Sequence, residues 1–482
     1  MGVVFVRVSY FLSLALSLPT LSATQTIAPD YVLTLEGAVK LALINNLNLQ
    51  TSVDSVEGSH ISESLARSRF GIQVTPSYAR GIGQEAVVDQ RFGLEVSKLL
   101  PYGTTVIGRY NIDQASNYLG NYNNSNLSLG VTQPLLRGFG RKTTEYDLVN
   151  ARRSLQSSER NLEVARQRLA VDIVSNYFNI VRHQGLVDVA EKSMERNREL
   201  LRASQARLEV GLASKLDVFR VELQLSHAGE ALILRREAHE LALDFLKFNM
   251  GLSPVDQVSV EIIEPEYEPV TFDLDTLTSQ AIANRVEVRE ERDRIHDADR
   301  SLSISRHNLL PELDLNLRYE QRGVGGSAYS GFVFPNSAFN ALFSTRYPLD
   351  RSSEKASFAR SQIDSNAARR SFKLLEYNIV KEVRAAARNL ERTGKSILLQ
   401  ERNIDFAEKQ LRLATLRYQR GLASNFDIID AENNFIRARS NYVSLVADHH
   451  VAQIELKRVT GTLDLESEFA PGNLLPSARH HP

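Results

Sequence analysis

With 482 residues, 43% of them hydrophobic, the chain is long enough for two or three ordinary domains or one elongated repeat structure. Its 57 basic and 58 acidic residues leave a formal charge of −1, which excludes a bulk electrostatic affinity for nucleic acid. The absence of cysteine excludes disulfides, thiolate metal sites, a cysteine nucleophile and a lipid-modified N-terminal cysteine.

The N-terminus reads MGVVFVRVSYFLSLALSLPTLSATQ. Arg7 precedes an apolar core from Phe11 to Leu18, and small residues follow at Thr20, Ser22 and Ala23. This is the pattern of a secretory signal over 1–23. Beyond it no run reaches the ~18–20 apolar residues of a spanning helix. An exported chain of this kind is periplasmic, extracellular, or a β-barrel in an outer membrane.

A first repeat is expected over 24–250. It opens with a helix around LEGAVKLALINNLNL (35–49) and continues through a β segment at about 70–134. Alternation at Ile72 to Tyr78, Phe92-Leu94-Val96, Val106 to Ile112 and Leu127-Leu129-Val131 fits transmembrane strands, and equally the half-buried strands of a soluble sheet. Long helices are expected over about 141–250. From Lys142 to about Val210 there is no proline, and Leu148, Leu155, Leu162 and Leu169 recur every seven residues. A helix of that length extends ~100 Å.

This helix is expected to stop at Gly211-Leu212-Ala213-Ser214. Glycine there takes a left-handed C-terminal position at little cost, and Ser214, three residues before Asp217, is a capping-box-like start for the next helix. A linker, read as an equatorial region, follows over 251–273. The second repeat spans 274–463, with a helix at LDTLTSQAIANRVEV (274–288), a β segment at about 311–348 and long helices over about 352–460. Leu313, Leu315, Leu317 and Tyr319 again alternate with polar residues. The stretch Gly421-Leu422-Ala423-Ser424 repeats the first turn 210 positions later, with Asp427 in the place of Asp217. At that same offset Ile180, Val187, Met194, Leu201 and Leu208 are matched by Leu390, Ile397, Ile404, Leu411 and Tyr418, so the two halves share one design. The returning helix carries Ile428, Ala431, Phe435, Ala438, Tyr442 and Leu445 at coiled-coil spacing. A flexible tail is expected over 464–482.

The opening LTLEGAVKLALINNLNL, the junction TQPLLRGFGR and the stretch YQRGLASNFDIIDAENNFIRAR, in that order, resemble the TolC-like outer-membrane efflux protein family over nearly all the mature chain. The resemblance implies a mixed α and β fold, internally duplicated, in which a long α-helical coiled-coil barrel joins a transmembrane β-barrel completed by trimerisation. It implies the outer membrane of a Gram-negative-type bacterium, with a long periplasmic extension and contact with outer-membrane lipid. The role implied is a passive exit duct of a multicomponent efflux or type I secretion system, gated at its periplasmic helical tip. The implied partners are two further copies in a homotrimer, a periplasmic adaptor (membrane fusion) protein, and an inner-membrane pump or ABC exporter. No cofactor, metal or nucleic acid is implied.

By the same resemblance Asp217, Asp427 and Asp430 ring the periplasmic aperture, and Tyr418 helps to hold it closed. Carboxylates crowded in a narrow opening favour cations and raise some of their own pKa values. Gly211, Leu212, Ser214, Gly421, Leu422 and Ser424 belong to the turns on which the adaptor docks. Two departures from the family stand out. Its latch arginine is replaced by Ala423, with Arg420 and Lys215 nearby, which puts the latch in doubt. The β region from Pro76 to Gln133 also has room for four strands instead of two. Three protomers give 12 strands if the extra hairpin near 90–113 lies outside the wall, the reading taken, and 18 if it joins.

Among enzyme signatures, G-x-S-x-G, H-E-x-x-H, a Walker loop and a dinucleotide fingerprint are all missing. The chain is not read as an enzyme, and no catalytic residue is assigned. His449 continues the 428/435/442 seam, as a core or wall residue does and a metal ligand need not. The remaining rival reading is a periplasmic coiled-coil scaffold or tether without a pore.

Overall fold

The computed structural model describes residues 32–82, 88–117, 120–261, 267, 269–325 and 336–469. The signal expected over 1–23 lies outside them.

Strand β1 (Val32–Leu33) leads into α1 (Leu35–Asn45) and α2 (Leu47–Ser68). Thr34 caps α1 by accepting the Gly37 amide at 3.1 Å, and Asn46 caps α2 by accepting the Leu49 amide at 2.9 Å. Four strands follow: β2 (Ile72–Ile82), β3 (Val88–Leu99), β4 (Thr105–Asn117) and β5 (Gly120–Pro134). A short turn of helix, α3 (Arg141–Thr144), then introduces α4 (Tyr146–Glu209) and α5 (Lys215–Asn249). Strand β6 (Ser259–Val260) pairs parallel with β1. The chain continues through α6 (Leu274–Asn284), α7 (Val286–His307), β7 (Glu312–Gly325), β8 (Asn336–Arg346), α8 (Ser352–Gln419), α9 (Asn425–Thr460) and α10 (Leu465–Glu468).

The helices of the second run repeat the lengths of the first. Helices α1 and α6 have 11 residues each, α2 and α7 have 22 each. Helices α4 and α8 have 64 and 68, and α5 and α9 have 35 and 36. At 1.5 Å per residue, α4 and α8 are each about 100 Å long.

Such helices have no globular interior to fold around, so the core is concentrated near their middles. Ala38, Val39 and Ala42 of α1 pack on Ala170, Ile173 and Val174 of α4, beside Leu246 and Met250. Ala281 of α6 packs in the same way with Ile379, Val383, Ala387 and Leu390 of α8, and with Leu456 and Val459 of α9. Each fully buried valine, leucine, isoleucine or methionine among them contributes about 1.5–3 kcal/mol. Close approach is built in at the end of α5: Gly251 has φ +74°, and a Cβ there would lie 2.3 Å from the Asn45 carbonyl oxygen. The stretch expected as a tail from 464 begins instead with α10, and Phe469 is buried in the first of these clusters; the remainder lies outside the described residues.

The six longer strands form one antiparallel sheet in the order β2-β3-β4-β5-β7-β8. The extra hairpin, expected outside the wall, is thus hydrogen-bonded into the same sheet as the other four strands. Strands β3 and β4 sit between β2 and β5 and pair with both along their whole length. Their turn is fastened to the linker after β5: the Gly140 amide donates to the Tyr102 carbonyl at 3.2 Å. Gly103 has φ +91°, and a Cβ there would sit 2.7 Å from the Gly138 carbonyl oxygen. Among the described residues no helix is long and apolar enough to cross a membrane.

Candidate gate and pore wall

The two repeated turns lie together at the far end of the long helices and are built alike. The Leu212 amide donates to the Arg207 carbonyl at 2.7 Å and the Gly211 amide to the Leu208 carbonyl at 3.0 Å. In the second turn Leu422 donates to Arg417 and Gly421 to Tyr418, both at 2.8 Å. Both glycines have φ +76°, the left-handed position of a Schellman stop. The next helix then starts on a capping box. Ser214 directs its amide (3.1 Å) and hydroxyl (2.7 Å) to the Asp217 carboxylate, and Ser424 does the same to Asp427 at 2.7 and 3.0 Å.

These bonds hold both carboxylates below their usual range. At Asp217 the Ser214 hydroxyl is the main cause, then its amide; at Asp427 the Ser424 amide comes first. Within one chain the shift is therefore downward, opposite to the rise expected from crowding, because each carboxylate is bonded in its own cap. Asp430 is exposed on α9, with Asn434 donating to it at 3.4 Å. Leu212 and Leu422 are 70% and 67% exposed, so both turns end in an uncovered leucine.

The copies part at Tyr418. This residue is only 7% exposed, whereas Leu208, its counterpart, is half-buried. The Tyr418 hydroxyl lies 3.1 Å from the buried Ser204 hydroxyl of α4. Ser204 donates to Asn425 Oδ1 at 3.3 Å, which leaves Tyr418 as the donor to Ser204. Asn425 in turn donates to the Asp217 carbonyl at 3.2 Å. The Arg207 guanidinium lies over the Tyr418 ring, 4.5 Å from its centroid, and donates to the Tyr418 carbonyl. One chain of contacts thus ties the end of α8 to α4, α9 and α5. One step further along, Arg196 grips the buried Glu432 at 2.8 and 2.9 Å.

Sequence reasoning placed Tyr418 here but missed Ser204, Arg207 and Asn425. A signal existed: Ser193, Asn197 and Ser204 are buried polar residues on the apolar seam of α4. Arg420 and Lys215, the replacements considered for the missing arginine, are exposed, and Arg207 occupies the tyrosine instead.

At the other end, the six-stranded sheet has two distinct faces. Ile72, Val74 and Tyr78 of β2, Phe92, Leu94 and Val96 of β3, and Phe339 and Phe343 of β8 are exposed on one face. The opposite face carries charges that pair with one another. Between β3 and β4 Arg109 meets Glu95 at 2.6 Å and Arg91 meets Asp113, and along β7 itself Glu320 takes Arg318 and Arg322 at 3.3 and 3.0 Å. Thr132, Asn316 and Ser344 continue it as a hydrogen-bonded row. On β3 the apolar face is the more exposed one and the polar face is the more sheltered. Apolar outside and polar inside is the lining of a transmembrane barrel.

His449 lies in the packed α8–α9 interface, bonded to Thr393 at 3.1 Å and Gln453 at 3.2 Å. Among the described residues no cluster of side chains is arranged to hold a metal ion.

A sequence model of the family described as outer membrane efflux protein matches residues 93–251 and 277–462. Nodulation protein T of Rhizobium leguminosarum bv. viciae is 25% identical over 338 residues, 67% of this chain and 66% of that protein. The outer membrane efflux protein BepC of Brucella suis biovar 1 is 21% identical over 440 residues, 89% of this chain and 86% of that one. Among solved structures, the outer membrane protein VceC of Vibrio cholerae aligns with a TM-score of 0.70 at 16% identity, covering 89% of this chain and 96% of the other.

Proposed function

The chain belongs to the outer membrane efflux protein family, and on that premise we propose that it is the passive exit duct of a multicomponent export system, gated at its helical tip. The observation that carries this reading is the sheet: an exposed apolar face, a charged opposite face, and two terminal strands, β2 and β8. Those strands run in opposite directions, so β8 of one copy is suited to pair antiparallel with β2 of the next. A heterologous contact of this kind closes into a ring, and the reading takes three copies, as the resemblance implies.

The helices support the same assembly. Helix α4 packs against α5 and α9, and α8 against α9, which leaves α5 and α8 at the two flanks. Leu223, Leu241 and Phe248 are exposed on α5, and Leu399, Phe406 and Leu413 on α8. Each stripe gains a partner when the flank of one copy meets the opposite flank of the next. The helical part then forms a periplasmic tunnel, and the sheet lies in outer-membrane lipid.

In this reading the second turn is the gate. Tyr418 and Arg207 clamp the end of α8 onto α4, while Asp427 and Asp430 of three copies face a narrow aperture and select for cations. The uncovered Leu212 and Leu422 offer contacts to a periplasmic adaptor, which couples the duct to an inner-membrane pump or ABC exporter. The chain performs no catalysis. Membrane fractionation followed by reconstitution in planar bilayers tests the proposal. Detergent-dependent recovery and discrete single-channel steps are expected; recovery in the soluble fraction, with no conductance, would establish the scaffold reading instead.

A further inference from the structure

We infer that the β3–β4 hairpin is an inserted piece of pore wall, so that three chains close an 18-stranded outlet that flares above a narrower helical tunnel. The inference rests on the trimeric duct proposed above.

The first support is register. Strand β3 pairs with β2 from Ile72↔Lys98 to Ile82↔Val88, and β4 pairs with β5 from Thr105↔Thr132 to Asn117↔Gly120. An extramembrane loop has no need to match its neighbours residue for residue. The second is phase. A single row runs Pro76, Leu94, Tyr110, Leu127 on the apolar face, and the next runs Thr75, Glu95, Arg109, Ser128 on the polar face. A slip of one residue would turn the charged set toward lipid. The third is parity: two added strands keep β2 and β8 antiparallel, so edge-to-edge closure survives the insertion.

The fourth support is the turn itself. Strands β2, β5, β7 and β8 each join a helix at one end, whereas β3 joins only β2 and β4, and β4 only β3 and β5. Six strands therefore stand above four helical connections. The turn that spans the mismatch is packed onto the strand-to-helix linker, where Gly103 leaves no room for a side chain beside Gly138. Because barrel diameter grows roughly linearly with strand number, the outlet is about 1.5 times as wide as a 12-stranded one. Barrels of this size leave an aqueous channel, so the outlet does not sieve cargo, and size selection falls to the helical tip.

The cysteine-free chain makes the test direct. Paired cysteines are introduced into the full-length protein and oxidised in native membranes; trimer mass is measured separately in detergent. Gln73→Cys with Ser97→Cys, and Val74→Cys with Val96→Cys, sample both kinds of antiparallel pair between β2 and β3. At least one is expected to form an intrachain disulfide. Thr75→Cys with Ser128→Cys is expected to form none, because two strands intervene and the separation is about 14 Å, beyond the ~7 Å reach of a disulfide. A Thr75–Ser128 disulfide in an intact trimer, or no disulfide in either β2–β3 pair, overturns the 18-stranded wall and leaves the duct standing. A β2–β3 disulfide in a protein that is not trimeric overturns the duct reading and the strand count with it.

Discussion

The two turns at the helical tip share a backbone and differ in their surroundings. Both stop a helix on a left-handed glycine and start the next on a serine–aspartate box, with hydrogen bonds that agree to within a few tenths of an ångström. Only the second places an aromatic ring in the last turn of its incoming helix, and only there do an arginine and a buried serine from α4 close over it. Local sequence builds the turn; the residue at the Leu208/Tyr418 position decides whether that turn is fastened. Substitutions at matching positions therefore separate common architecture from gating.

The largest expected difference is at that position. Tyr418→Ala removes a buried ring and the hydrogen bond that its hydroxyl donates to Ser204, which costs about 3–5 kcal/mol per chain. Leu208→Ala, at a half-buried site, costs clearly less. Limited proteolysis of the tip in detergent measures both, and equal susceptibility would contradict the asymmetry. Next comes Arg207→Ala, which removes a cation–π contact and a bond to the Tyr418 carbonyl, together about 1–2 kcal/mol. The counterpart Arg417→Ala is expected to leave tip proteolysis within error of the parent.

The remaining substitutions are expected to act equally on both turns. Gly211→Ala and Gly421→Ala each force a β-carbon into the left-handed region, at about 1–2 kcal/mol. Ser214→Ala and Ser424→Ala each remove a cap, at about 1 kcal/mol. Acid acts in the same direction on both. Asp217 and Asp427 have folded-state pKa values held below the usual carboxylate range, so their contribution is complete above the unfolded value of about 3.9 and is lost as pH falls through the folded one. Opening of the two turns, measured by hydrogen exchange relative to the intrinsic amide rate at each pH, is expected to stay level from pH 7 to about 5 and to rise together below 4. A rise confined to one turn would show that the caps are not equivalent.

Much of this was legible in the sequence, for a physical reason. Heptad spacing, the paired glycines and the S-x-x-D boxes are local patterns, and local hydrogen bonds enforce them. Alternation also announced β3 and β4 as strands. It could not name their neighbours, since Phe92-Leu94-Val96 alternates identically in a wall strand and in an external hairpin. The fastening of Tyr418 was equally hidden, because Ser204 and Arg207 precede it by more than two hundred residues and meet it only where the ends of α4 and α8 converge at the tip. The downward pKa shifts at Asp217 and Asp427 follow from their caps, which the sequence did display; the crowding argument had given them a different environment.

Most direct, for the claim that the second turn is the gate, is single-channel conductance in planar bilayers. Trimeric Tyr418→Ala is compared with trimeric Leu208→Ala and the parent chain. The account predicts a larger conductance for Tyr418→Ala alone, with Leu208→Ala indistinguishable from the parent. Equal conductance of all three, or opening by Leu208→Ala, would contradict it.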